Sequence, residues 1–146
     1  MTRYLLDTNI ISQATKPQPS PALLDWLEQQ PRSDLFIATF TLAEIRRGIL
    51  ATPLGRKRRE LEVWFSGPEG PLALFEGRIL AFDEAAADEW ARIMVEGTRT
   101  GRPRSGLDMI VAATAVANRC VVATLNDRHF RGIVDCINPY TPQARV

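Results

Sequence analysis

The chain has 146 residues, 45% hydrophobic and 24% charged, with a formal net charge of +1. This is the make-up of one globular domain with room for a sizeable core, and it excludes disordered and polycationic classes. No apolar run reaches the roughly 18 residues needed to span a bilayer, and Asp7 interrupts any signal-peptide pattern at once.

Tyr4-Leu5-Leu6 is a short apolar run closed by Asp7-Thr8-Asn9, the pattern of a buried strand that ends on helix-start residues. Pro17, Pro19 and Pro21 separate a first helix from a second over 22–30, which carries Leu23, Leu24 and Leu27 on one stripe. Residues 35–40 (LFIATF) read as the second strand, and Thr41 opens a helix towards Leu50. Pro53 and Gly55 mark a break before a basic amphipathic helix over 56–65. A turn over 67–71 and a short apolar piece over 72–75 lead to the third strand, 78–82. Asp83-Glu84 then begins a helix bearing Trp90, Ile93 and Met94. Residues 97–106 read as a polar, glycine-punctuated loop, and 107–119 as an alanine-rich apolar helix. The fourth strand is 121–124, with a short fifth candidate at 134–137 before Pro139.

Strands alternating with helices argue for an α/β fold: one three-layer α/β/α domain over 1–146, built on a parallel sheet of four to five strands. Right-handed crossovers bring every helix N-terminus to the sheet edge where the strands end. Ligands of open α/β sheets bind at that edge. Asp7 directly follows strand one, Glu44 is expected in the first turn after strand two, and Asp108 in the first turn of the apolar helix. Asn126 and Asp127 follow strand four. Each has a plain alternative explanation. Asp7 is a good N-cap, Thr41-x-x-Glu44 matches a capping box, Ser105-x-x-Asp108 is a looser version, and Asn126 suits a turn.

Carboxylates gathered on one rim resist joint ionisation unless a cation sits among them. Hard oxygen ligands of this kind suit Mg²⁺ or Mn²⁺, with substrate phosphates as further ligands. Other machinery is missing: there is no Walker loop and no G-x-S-x-G elbow. His129 reads as a surface or packing residue. Cys120 and Cys136 make no metal-type spacing, so a cysteine–histidine zinc site is excluded, and a cytoplasmic chain with reduced thiols is expected. Basic residues cluster at 56–59, at Arg46-Arg47, and at Arg99, Arg102 and Arg104. Such clusters suit a nucleic-acid backbone, or simply solvated helix faces.

Leu6-Asp7-Thr8-Asn9, Thr41-x-x-Glu44-Ile45-x-x-Gly48, Asp108 in its alanine-rich helix and Thr124-x-Asn126-x-x-x-Phe130 together resemble the PIN domain. Within it they look most like VapC-type toxins of bacterial toxin–antitoxin pairs, in the FitB-like branch. The resemblance implies a Mg²⁺-dependent endoribonuclease in which Asp7, Glu44 and Asp108 match the three principal acids and bind the metal directly or through water. Asn126 stands where some relatives carry a fourth acid, with Asp127 as its substitute. Thr8, Asn9 and Thr124 would support the site, and Arg46, Arg99, Arg102 and Arg104 would hold RNA. A homodimer and a cognate antitoxin are implied as partners, with DNA met only through the antitoxin. Two alternatives remain. A receiver-type signalling module would need a paired acid beside Asp7 and a lysine after its last strand, and the only lysines are Lys16 and Lys57. A catalytically inactive PIN-fold binding module is the other, favoured by the uncharged Asn126.

Overall fold

The computed structural model describes residues 1–141; residues 142–146 of the expected domain lie outside the described residues. The elements are β1 (Tyr4–Leu6), α1 (Thr8–Ala14), α2 (Pro21–Glu28), β2 (Leu35–Ala38), α3 (Thr39–Ala51), α4 (Arg56–Ser66), α5 (Pro71–Leu74), β3 (Ile79–Leu80), α6 (Glu84–Arg99), α7 (Gly106–Ala117), β4 (Val121–Ala123) and β5 (Cys136–Ile137). The five strands pair in the order β3-β2-β1-β4-β5, all parallel.

Side-chain alternation along the central strands divides the interior into two cores, one on each face of the sheet. Tyr4 and Leu6 of β1 join Val121 and Ala123 of β4 in a core closed by α1 and α2 through Ile10, Ile11, Leu23 and Trp26. Leu5 and Val122 point the other way, into a core with Ile93 of α6 and Met109, Ala112 and Ala113 of α7. This is the expected three-layer α/β/α arrangement. Both β1 and β4 are buried along their whole length, which is why they read as unbroken apolar runs. No described helix is long and apolar enough to cross a membrane.

Strands three and five are shorter than expected, Ile79–Leu80 and Cys136–Ile137, and two boundaries nearer the site also differ from the sequence expectation. Strand two ends at Ala38, whose extended backbone caps α3, so the helix starts at Thr39 rather than at Thr41. Thr39 and Phe40 favour strands in isolation, but the tertiary context places them in the first helical turn. The capping box is therefore absent: Thr41 is the third residue of α3, fully buried, and Glu44 lies in the second turn. At the other boundary, α6 runs through Gly97 to Arg99. A Cβ at Gly97 would stand 2.9 Å from both the Arg102 carbonyl oxygen and the Arg104 Cδ, so glycine admits the returning chain against the helix.

The strand order has a consequence for ligand binding. Chain connections lead from β1 towards β2 on one side, while β4 and β5 fill the other. The order reverses between β1 and β4, and the crevice at their carboxyl ends is the binding location such sheets favour. Asp7 and Thr124 are the residues at that crevice, held together by the Asp7 N–H donating to the Ala123 carbonyl at 2.9 Å.

Candidate active site

Asp7 ends β1 and begins α1 in one residue. Its backbone is extended, and its Oδ1 accepts the Thr8 N–H at 2.8 Å, so it is a helix cap as well as a candidate site carboxylate. Its Oδ2 accepts the Thr124 hydroxyl at 2.8 Å and, more weakly, the Asn9 side-chain amide at 3.4 Å. Asn9 also accepts the Leu125 N–H at 3.2 Å, and the Thr124 hydroxyl oxygen accepts the Asn126 N–H at 3.0 Å. The loop after β4 is thus fixed to the start of α1 through Thr124 and Asn9. Thr124 is fully buried, so its hydroxyl keeps one orientation.

Glu44 reaches the same rim from α3. The Thr8 hydroxyl donates to Glu44 Oε1 at 2.6 Å, and its oxygen lies 3.4 Å from that of the buried Thr41. Asp108 comes from the first turn of α7, where Ser105 caps the helix by accepting the Asp108 N–H at 3.3 Å. Its Oδ2 lies 3.1 Å from His129 Nδ1, a bond that requires the imidazole to carry its proton on Nδ1. The loose capping signature at Ser105 is therefore real, and it leaves the Asp108 carboxylate free of the cap.

Electrostatics links Asp7 to the other two acids. Burial pushes the Asp7 carboxyl above its ordinary value, and the negative charges of Glu44 and Asp108 push it further. The hydrogen bonds from Thr124 and the Thr8 N–H oppose that rise without cancelling it. Among the described residues no cationic side chain forms an ion pair with Asp7 or Glu44. The rim is short of positive charge.

A family model of the PIN domain matches residues 4–134. The chain belongs to the PIN domain family. Among its relatives, VapC ribonuclease Y4jK of Sinorhizobium fredii is 35% identical over 139 residues, covering 94% of this chain and 98% of the relative. Toxin FitB of Neisseria gonorrhoeae is 34% identical over 137 residues, covering 93% and 97%. Among solved structures, that of FitAB bound to an IR36 DNA fragment superposes with a TM-score of 0.85 at 34% identity, covering 94% of this chain and 95% of the other.

The donors of this PIN domain are hard oxygens, the chemistry that Mg²⁺ or Mn²⁺ prefers. Among the described residues, no three His, Cys, Asp or Glu side chains stand close enough together to form a ready-made metal cage. That geometry still suits Mg²⁺, which takes one or two carboxylates and completes its shell with waters and phosphate oxygens. The uncompensated charge around Asp7 is the observation that fits a cation here.

Other expected residues of the PIN domain fall elsewhere. Asp127 does not extend the rim: its Oδ2 accepts from Arg131 at 2.5 Å and its Oδ1 from the Asn138 amide at 3.1 Å. Although burial acts the other way, the Asn138 bond and the Arg131 guanidinium hold its carboxyl below the ordinary value. Asp127 thereby ties the 3₁₀ turn Asp127–His129 to the end of β5. Asn126 caps that turn through its backbone and leaves its side chain exposed. Arg46 pairs with Glu62 at 2.9 Å and lies over the Phe65 ring, so it joins α3 to α4 instead of facing a ligand. Arg104 donates to the Ile93 carbonyl at 2.7 Å, which anchors the α6–α7 loop. Arg99 is exposed on the outer surface of α6 beside Val95 and Thr98. Of the four expected RNA contacts, Arg102 and Arg104 line a cleft with Asp108, and of these two Arg102 is the one whose side chain has no partner among the described residues. Sequence reasoning missed His129, because its neighbour Asp108 is 21 positions away and nothing local announces the contact.

Proposed function

We propose that this chain is a Mg²⁺-dependent endoribonuclease, the toxin partner of a VapBC-type toxin–antitoxin pair. The observation that carries the reading is Asp7 at the strand-order reversal, buried, without an ion-pair partner among the described residues, and pushed up by the nearby charges of Glu44 and Asp108. The relatives named VapC ribonuclease and Toxin FitB, both aligned over nearly the full chain, support it. The complex of FitAB with DNA supports a cognate antitoxin as partner, with DNA met through it. A homodimer in the cytoplasm completes the reading.

In this mechanism Asp7, Glu44 and Asp108 would hold the cation, directly or through water. When bound, it lowers the pKa of a water ligand and offsets the charge building on the phosphodiester in in-line displacement. The protein's own part is orientation and proton transfer. Thr124 and the Thr8 N–H fix the Asp7 carboxylate at both oxygens, and the Thr8 hydroxyl fixes Glu44 Oε1. That leaves Glu44 Oε2 to receive the proton of the attacking water. His129 holds Asp108 Oδ2 from the outer side of the rim.

Incubation of the purified protein with total RNA in Mg²⁺ is the test. Cleavage that stops with EDTA and returns with added Mg²⁺ or Mn²⁺ is the expected result; cleavage indifferent to EDTA refutes the metal-dependent mechanism. The second reading is an inactive PIN-fold binding module. The commitment of Asp127 to Arg131 and Asn138 favours it. No Mg²⁺ or Mn²⁺ binding and no RNA cleavage is the outcome that selects it.

A further inference from the structure

A cleft of about 800 Å³ opens beside Asp108, between the α6–α7 loop on one side and the 3₁₀ turn after β4 on the other. Four arginines line it, Arg102 and Arg104 from the loop and Arg128 and Arg131 from the turn region, against two carboxylates, Glu96 and Asp108. Leaving His129 aside, the lining is net positive, which is unlike the rim around Asp7.

The four cations are not equivalent. Arg104 is spent on the Ile93 carbonyl and Arg131 on Asp127. Arg102 and Arg128 are exposed and, among the described residues, neither side chain has an ion-pair or hydrogen-bond partner. Two unpartnered guanidiniums on opposite lips of a cleft that ends at a site carboxylate suit a chain of phosphates, each a ready acceptor for Arg. An isolated anion would need only one lip.

We propose that this cleft is the bed of the substrate strand on one side of the scissile phosphate, with Arg102 and Arg128 as its phosphate contacts. The proposal rests on the ribonuclease reading and adds to it the path of the RNA. The strand runs from the acidic rim past Asp108 and His129 and out between the two arginines. Glu96 at the outer wall sets the limit of the bed, because a phosphate beside it would be repelled. Arg46 and Arg99 lie outside this path and make no contact with the strand.

The test uses the full-length protein carrying Asp7→Asn, so that RNA survives the measurement. Binding of a fluorescein-labelled single-stranded oligoribonucleotide of mixed sequence is followed by anisotropy across a range of salt concentrations. Arg102→Ala and Arg128→Ala each weaken binding severalfold and lower the slope of log affinity against log salt by about 0.7, the value for one phosphate contact on a single strand. The double variant loses both contacts. Lys57→Ala, on α4 away from the cleft, controls for loss of a positive charge anywhere on the surface. Cleft variants that bind no more weakly than Lys57→Ala overturn the bed while leaving the ribonuclease reading standing. A parent that binds no RNA overturns both. Thermal melting of each variant checks that the fold is intact, as expected for two exposed side chains.

Discussion

The Thr8 hydroxyl donates to Glu44 Oε1 at 2.6 Å, joining the first residue of α1 to the second turn of α3. Thr8 follows Asp7 directly, so one dipeptide sets two of the three acids. Asp7 is positioned through the chain, and Glu44 through the hydroxyl. In the proposed mechanism this bond holds Glu44 Oε1 so that Oε2 faces the attacking water. Thr8→Val keeps the side-chain shape and removes the donor. Its kcat on an RNA oligonucleotide falls about tenfold, equivalent to about 1.4 kcal/mol, with KM little changed. Thr8→Ser restores the rate. A Thr8→Val enzyme with wild-type kcat removes the hydroxyl from the mechanism.

Asp7 makes the metal-free protein sensitive to pH. Burial, with Glu44 and Asp108, raises its carboxyl above the ordinary value of 3.8. A group raised on folding contributes stability that is complete below the unfolded pKa and is lost as pH rises through the folded pKa. The wild type is therefore penalised at neutral pH, and Asp7→Asn is not. Without divalent cations, Asp7→Asn melts higher than the wild type at pH 7, by about 3 °C for each kcal/mol recovered. The gap closes as pH falls towards 4. Calorimetry across that range decides it; a variant that melts lower at pH 7 means the Thr124 and Thr8 bonds outweigh the charge.

On the proposed metal site, added divalent cations are expected to reverse that penalty. Mg²⁺ or Mn²⁺ bound by the native site raises the melting temperature, and saturation to about a hundred times Kd corresponds to about 2.7 kcal/mol. Asp7→Asn loses most of the response. Thermal melts with and without EDTA measure it, and equal shifts in both proteins place the cation elsewhere.

Arg46 separates charge from contact. Its guanidinium pairs with Glu62 and covers Phe65, with both partners of the ion pair only partly exposed. Arg46→Ala destabilises the α3–α4 packing by up to about 1 kcal/mol and leaves RNA affinity unchanged. A variant with normal melting and weakened RNA binding would restore Arg46 to the substrate path.

Much of the architecture was legible because its signals are local. The apolar runs of β1 and β4, the proline breaks and the alanine-rich α7 appear in the structure within a few residues of their expected places. Asp7 and Asp108 were placed at helix starts for the same reason. Glu44 was found through a motif but mislocated by a turn, since Thr39 and Phe40 gave no sign of entering a helix. Gly97 looked like a helix end, yet it serves the close approach of Arg102 and Arg104. What the sequence could not show was the fate of each charge. Arg46, Arg104 and Asp127 are all consumed by partners 11 to 16 positions away or, for Asp127, by Asn138 and Arg131 together. Whether an arginine is free for a ligand is decided by tertiary pairing, and composition carries no trace of it.

The most direct measurement compares RNA cleavage by the wild type and by Asp7→Asn in Mg²⁺, with folding of both confirmed by circular dichroism. The account predicts that the wild type cuts and that the folded variant is silent, because the acid at the strand-order reversal is gone. Undiminished cutting by Asp7→Asn would contradict it.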